Sequence, residues 1–187
     1  MELGVGFNTN NQSPKPNNQS QQLKVKDQIR NIGESTFPFF NMQTTEKYNF
    51  SVPVQVRMSD LDPFVHVNNG AQCNYFDYGR SAYFEHVFGK PIDWREMDMV
   101  LVHVEMDFRE GIEFHDQVVC ETRVLSFGNK SVKMMQQLRD TRTGMVKTTC
   151  YSVLAGFDRI THQSIPIREE YKKMFTEFES LPDDQQE

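Results

Sequence analysis

From residue 47 onward the hydrophobic positions follow two different periods. Phe50, Val52, Val54, Val56 and Met58 alternate with polar or small residues, the period of two that marks a strand with one buried face. Residues 69–88 break that rhythm. Cys73, Tyr75, Phe76, Tyr78, Ala82, Tyr83, Phe84, Val87 and Phe88 leave no wide polar face, which predicts a long helix buried nearly all round. Gly79 in its middle costs about 1 kcal/mol of helix propensity relative to Ala, so it is expected to mark a close approach of another backbone. Gly89, Lys90 and Pro91 end the helix. Four strand-like runs follow at 98–109, 117–127, 130–140 and 145–157, parted by Gly111, Gly128-Asn129 and Thr143-Gly144. The last two separators are short hairpin turns. Residues 168–178 then space Tyr171, Met174, Phe175 and Phe178 as one apolar stripe, predicting an amphipathic helix that lies on the domain.

This order predicts an α+β domain over residues 46–180. Strands joined by hairpins form an antiparallel sheet, and one long apolar helix finds its contacts on the concave face of that sheet. Ahead of it, residues 1–22 hold five Asn and four Gln with Pro14 and Pro16, too little apolar surface to offset the entropy of ordering. Residues 1–45 are therefore expected to form a disordered tail, with Phe37, Pro38, Phe39 and Phe40 as a candidate anchor onto the domain. Residues 181–187 are expected to form a flexible C-terminus.

Composition narrows the function classes. A chain of 187 residues with 37% hydrophobic content supports one core of ordinary domain size. Twenty Lys and Arg against 26 Asp and Glu give a net charge of -6, which argues against a nucleic-acid binder that relies on phosphate neutralisation. Cys73, Cys120 and Cys150 are odd in number and far apart, fitting neither a disulfide framework nor a zinc motif. His86, His103, His115 and His162 are scattered without ligand spacing, so no metal is expected. No apolar run reaches the ~20 residues a spanning helix needs, and no basic and apolar leader opens the chain. The expectation is a soluble cytoplasmic protein without membrane insertion. A G-x-S-x-G elbow, an H-E-x-x-H pair and a phosphate loop are all missing from the sequence.

The chemistry-bearing stretch is Arg57-Met58-Ser59-Asp60-Leu61-Asp62-Pro63-Phe64-Val65-His66-Val67-Asn68-Asn69, with Tyr75 and Arg80 on the following helix. As an isolated pair, Asp62-Pro63 reads as a turn initiator, and Asn68 and Asn69 read as helix-capping residues. Taken together, Asp62, three intervening residues, His66-Val67-Asn68-Asn69, Tyr75 and Arg80 resemble the hot-dog thioesterases of the 4-hydroxybenzoyl-CoA thioesterase and acyl-CoA thioesterase type. The likeness in element order runs from Lys47 to about Phe178.

The resemblance implies a hot-dog fold whose sheet wraps the long helix, a homodimer or homotetramer with sites at the subunit interface, and Asp62 as the catalytic carboxylate. A thioester needs a nucleophile or a base that activates water, together with donors for the developing oxyanion. The unsatisfied N–H groups of a first helical turn are such donors. By alignment on Asp62 the oxyanion amide falls at Asn69, with Asn68 or Gly70 one residue to either side, and His66 orders the loop or acts as a base. Asp60 and, on the helix, Asp77 are rival carboxylates, although Asp77 has an ion-pair partner at i+3 in Arg80. Gln72 stands where family members usually carry Tyr, and Val65 where many carry Gly.

Between Cys120 and Cys150 six basic residues, Arg123, Lys130, Lys133, Arg139, Arg142 and Lys147, face two acidic ones, Glu121 and Asp140. They are candidates for the phosphates of coenzyme A, or else an ordinary solvated sheet face. The expected activity is hydrolysis of an acyl-CoA to free acid and coenzyme A, with no separate cofactor because coenzyme A belongs to the substrate. An acyl-carrier-protein thioesterase and a non-catalytic acyl-CoA binder are the alternatives.

Overall fold

The computed structural model describes residues 47–181. The expected tail over residues 1–45, its Phe37–Phe40 cluster and residues 182–187 lie outside the described residues. Strand β1 (Phe50–Pro53) leads through a 3-10 turn (Met58–Asp60) to helix α1 (Asn69–Phe88). Strands β2 (Met99–Phe108), β3 (Val118–Phe127), β4 (Ser131–Asp140) and β5 (Val146–Gly156) follow, and helix α2 (Glu169–Glu179) closes the order. The strands form one antiparallel sheet in the order β1-β3-β4-β5-β2. This is the hot-dog arrangement, with α1 lying over β1, β3 and β4.

Local signals set α1. Asn68 caps it, its side-chain oxygen accepting the Gly70 N–H at 2.8 Å, and Gly89 ends it in the left-handed conformation with φ 66°. The helix is not apolar all round, however. Gln72, Tyr75, Phe76, Gly79, Arg80, Tyr83 and Phe84 are buried, whereas Cys73, Asn74, Asp77, Tyr78, Glu85 and His86 are exposed. One sheet covers one side of the helix, so apolar residues such as Tyr78, on the other side, face outward.

Two further readings are corrected. The first strand pairs with β3 only over Phe50–Pro53, with Val54 N–H adding a bond to Val118 O at 2.9 Å, and does not extend to Met58. The Arg57 N–H is taken by the Asp60 carboxylate at 2.9 Å, which turns the chain out of the sheet. The close approach at Gly79 is made by a side chain rather than a backbone: a Cβ there would sit 2.2 Å from Cys120 Sγ and 2.9 Å from Cys120 Cβ.

Apolar residues divide into two clusters along α1. Val54, Val67, Tyr75, Phe76, Ile112, Val118, Cys120, Leu138 and Cys150 gather under its N-terminal half. Tyr83, Phe84, Met97, Met99, Val124, Phe127, Val132, Met134, Leu154, Ile167 and Phe175 gather at the other end, where α2 packs. Tyr83 fastens that end: its hydroxyl donates to Glu179 Oε1 at 2.6 Å and its ring stacks on Phe175 at 5.7 Å. Strand β2 occupies one edge of the sheet and leaves Val100, Leu101, Val102, Val104 and Phe108 exposed. Among the described residues no helix is long and apolar enough to cross a membrane.

Candidate active site

Residues 57–71 form a closed loop that carries the strand exit onto the helix. Leu61 and Val67 pair as an isolated antiparallel bridge. Within that bridge the Asp62 N–H donates to His66 O at 2.8 Å and the Val65 N–H donates to Asp62 O at 3.0 Å. Val67 N–H is tied to Ile112 O at 2.8 Å, which fastens the loop to the segment after β2. Turning the chain this tightly puts Val65 at φ 65°, a left-handed conformation that costs a β-carbon-bearing residue about 1–2 kcal/mol. That conformation is why Gly suits the position where this chain has Val.

Asp62 lies half-buried in the loop. Its Oδ1 accepts the N–H groups of Phe64 at 2.8 Å and His66 at 3.3 Å, so one carboxylate oxygen holds the turn. Oδ2 carries no hydrogen bond among the described residues. His66 contributes its backbone to the turn and packs its ring against Gly111, where an added Cβ would come within 2.8 Å of the imidazole. A side chain at 111 would have to displace that ring.

The first turn of α1 sorts the three candidate amides. Asn68 N–H donates to Asp60 O at 2.8 Å, and Gly70 N–H is taken by the Asn68 side chain at 2.8 Å. Asn69 N–H, and Ala71 N–H one residue beyond the candidates, have no partner among the described residues. These two donors carry the positive end of the helix dipole. Gln72, which departs from the Tyr usual in the resembled family, is buried and built in: its Nε2 donates to Val67 O at 3.1 Å and its Oε1 accepts from Thr148 Oγ1 at 2.6 Å. The side chain thus bridges the loop, the helix and β5.

Each rival carboxylate has a side-chain partner. Asp77 receives the Arg80 guanidinium, which is itself buried and donates to Gln136 Oε1 at 3.3 Å. Asp60 accepts from Tyr75 Oη at 2.6 Å and from Arg57 N–H at 2.9 Å. Burial alone would raise the Asp60 carboxyl, but the Tyr75 hydroxyl and the Arg57 amide outweigh it and hold the group below the usual carboxylate range. Sequence reasoning missed this bond because Tyr75 lies 15 residues away. The signal available was a Tyr two turns into a helix that an acidic loop precedes.

The basic candidates are engaged within the protein. Arg139 pairs with Glu121, Arg142 with Asp116 at 3.2 Å and Lys147 with Asp116 at 3.0 Å, while Lys130 donates to Ser164 O at 2.8 Å. Burial pushes the thiols of Cys120 and Cys150 up to about 12, which keeps both protonated at neutral pH. Among the described residues no group of three or more His, Cys, Asp or Glu side chains is placed to hold a metal ion.

The sequence profile of the thioesterase-like superfamily matches residues 56–175. Among solved structures, a thioesterase from Thermus thermophilus complexed with coenzyme A and zinc is 28% identical, with a TM-score of 0.65 over 73% of this chain and 99% of its own. A 1,4-dihydroxy-2-naphthoyl-CoA thioesterase from Synechocystis, 10% identical, has a TM-score of 0.63 over 71% of this chain and 98% of its own. A DHNA-CoA thioesterase from Staphylococcus aureus, 13% identical, has a TM-score of 0.60 over 71% and 90%. The last two speak for the fold alone. No curated protein matches the chain.

Proposed function

The chain belongs to the thioesterase-like superfamily, and from that membership we propose that it is an acyl-CoA thioesterase of the 4-hydroxybenzoyl-CoA thioesterase type, acting as a cytoplasmic homodimer. One juxtaposition carries the reading. Among the described residues the Asp62 carboxylate has one oxygen anchored and the other without a partner, and the Asn69 and Ala71 N–H groups of the helix that the loop leads into are also without partners. Those are the two groups that thioester hydrolysis requires.

The reaction runs by one of two balanced routes. As general base, Asp62 Oδ2 takes a proton from water while the water oxygen attacks the thioester carbon. The oxyanion forms against the Asn69 and Ala71 amides, the C–S bond breaks and the leaving thiolate recovers the proton. As nucleophile, Oδ2 attacks the carbon itself and expels the thiolate, and water then splits the acyl–aspartyl anhydride. His66 and Asn68 orient these groups, His66 through the turn and Asn68 through the cap. Coenzyme A as the carrier is supported by the coenzyme A held in the Thermus thermophilus thioesterase. The exposed apolar edge of β2 supports the dimer, because a second copy placed there continues the sheet and covers the unpaired strand.

The test is thiol release from a panel of short, medium, long and aromatic acyl-CoAs, and from acyl-carrier-protein thioesters, by wild type and Asp62→Asn. Asn keeps an oxygen for the Phe64 and His66 amides, so the turn survives and only the charge is lost. The expected outcome is acyl-CoA turnover that falls about 10²- to 10⁴-fold in the variant. Turnover that persists in Asp62→Asn rules out Asp62 as the carboxylate, and failure on every thioester rules out the enzyme.

A further inference from the structure

Asp60 sits at the crossing of three chain segments. Its Oδ2 accepts the N–H of Arg57, four residues past the end of β1, at 2.9 Å, and the hydroxyl of Tyr75, two turns into α1, at 2.6 Å. Its backbone carbonyl accepts the N–H of Asn68, the helix cap, at 2.8 Å. Two residues further on stands Asp62. The turn from Asp62 to His66 holds Val65 in a left-handed conformation, and such strain persists only where the surroundings over-determine the backbone. The Leu61–Val67 bridge and the Val67–Ile112 bond hold the far side of the loop. On the near side the Asp60 carboxylate links the loop to the body of the helix through Tyr75, which is buried and whose ring packs in the N-terminal cluster, as Gln72 Nε2 does on Val67 O.

We propose that Asp60 and Tyr75 are a positioning pair that fixes the Asp62 carboxylate relative to the Asn69 and Ala71 amides. The pair rests on the thioesterase reading for its catalytic consequence, although its effect on loop geometry does not. Neither residue touches the reacting atoms. A bond from the rigid helix to the loop transmits the helix position to Asp62, and a misplacement of about 1 Å at a reacting group costs about 10²-fold.

Tyr75→Phe keeps the ring and its packing and removes one hydroxyl. The expected result is a kcat lowered about 10- to 100-fold with KM within about twofold, since the loss falls on the transition state rather than on binding. Asp60→Asn, which keeps an acceptor for Tyr75 but loses the charge, is expected to fall between wild type and Tyr75→Phe. In the Asp62→Asn background Tyr75→Phe is expected to change the residual rate by less than about twofold, because the pair acts only through Asp62.

Amide hydrogen exchange supplies the readout that needs no turnover. In Tyr75→Phe the Arg57 and Asn68 amides are expected to exchange at least tenfold faster, with amides of β4 and β5 unchanged. A Tyr75→Phe enzyme with wild-type kcat, a change confined to KM, or effects that multiply in the double variant would each overturn the proposal. If wild type hydrolyses no thioester, the functional reading fails by itself, and the exchange result alone then upholds or overturns the pair.

Discussion

Replacing Gly79 by Ala pits two forces of opposite sign against each other, and the geometry says which wins. A helix-interior Gly→Ala change stabilises by about 1 kcal/mol where nothing touches the new methyl. Here the methyl would lie 2.2 Å from Cys120 Sγ, 2.9 Å from Cys120 Cβ and 3.3 Å from Gln136 Nε2, against the ~3.5–4 Å at which carbon contacts are favourable. Neither side can give way easily. Cys120 is fully buried, and its strand is paired on both edges, with Val52 on β1 and Leu138 on β4. Gln136 is likewise fully buried and committed to Phe76 O at 3.0 Å and Thr122 Oγ1 at 3.0 Å. Overpacking of this kind costs about 1–3 kcal/mol, and with both partners fixed the upper end applies. Subtracting the propensity gain leaves a net destabilisation of about 1–2 kcal/mol, or about 2–8 °C in Tm at roughly 2–4 °C per kcal/mol. Thermal unfolding followed by circular dichroism at one fixed protomer concentration reads it. Cys120→Ala in the same chain removes the sulfur contact and leaves the closer approach to the residue-120 Cβ at 2.9 Å, which offsets the propensity gain, so the double variant should unfold within about 0.5 kcal/mol of Cys120→Ala alone. A Gly79→Ala protein as stable as wild type, or a double variant whose losses simply add, would refute the claim that this glycine exists for helix–sheet contact.

Two more outcomes follow from the loop and its carboxylates. Val65→Asn should raise the unfolding free energy by about 0.5–1 kcal/mol, seen as a higher urea midpoint at unchanged m, because Asn enters the left-handed region several-fold more readily than other non-glycine residues. Val65 is 64% exposed, so its removal forfeits only about 0.5 kcal/mol of burial; a variant less stable than wild type would show that Val65 is not strained in solution. Acid should act through Asp60 and Glu121. Burial raises both carboxyls, but the bonds from Tyr75 and Arg57 to Asp60, and from Arg139 and Gln137 to Glu121, outweigh it and leave both below the ordinary range. A depressed folded-state value means the stabilisation is complete above the unfolded value of about 4 and is lost as pH falls through the folded value. Urea midpoints should therefore hold steady from about pH 7 to pH 5 and drop below about pH 4, less steeply in Glu121→Gln; a midpoint unchanged at about pH 3 would contradict this.

What the sequence made legible is what neighbouring residues decide. The helix from Asn69 to Phe88 is bounded by a capping Asn and a left-handed Gly, and the hairpins after β3 and β4 lie on their turn residues, so their signals sit within a few positions of the effect. The early end of β1 is different in kind. The alternation from Phe50 runs on through Val56 and Met58, yet the pairing stops at Pro53, and a few residues on the Asp60 carboxylate takes the Arg57 N–H and turns the chain toward the loop. The face of α1 left outside was equally hidden, because periodicity describes the helix and not how far the sheet reaches around it. The partners of Gln72 and the place of Gly111 beneath His66 depend on contacts between segments far apart in the chain.

The division of the core explains why the site can rest on polar bonds. The aromatic cluster around Tyr83, Phe84 and Phe175 fastens α2 to the far end of α1, away from the loop. The cluster under the N-terminal half is built of Val67, Tyr75, Phe76 and Ile112 among others. Two of these, Val67 and Tyr75, carry the loop's own ties, to Ile112 O and to Asp60. Apolar burial there holds the frame without direction, since it depends on area and not on angle. Hydrogen bonds supply the direction. A strained turn such as that at Val65, set on an apolar base alone, would have several relaxed alternatives of similar burial. The bonds from Asp60, Gln72 and Asn68 select one of them.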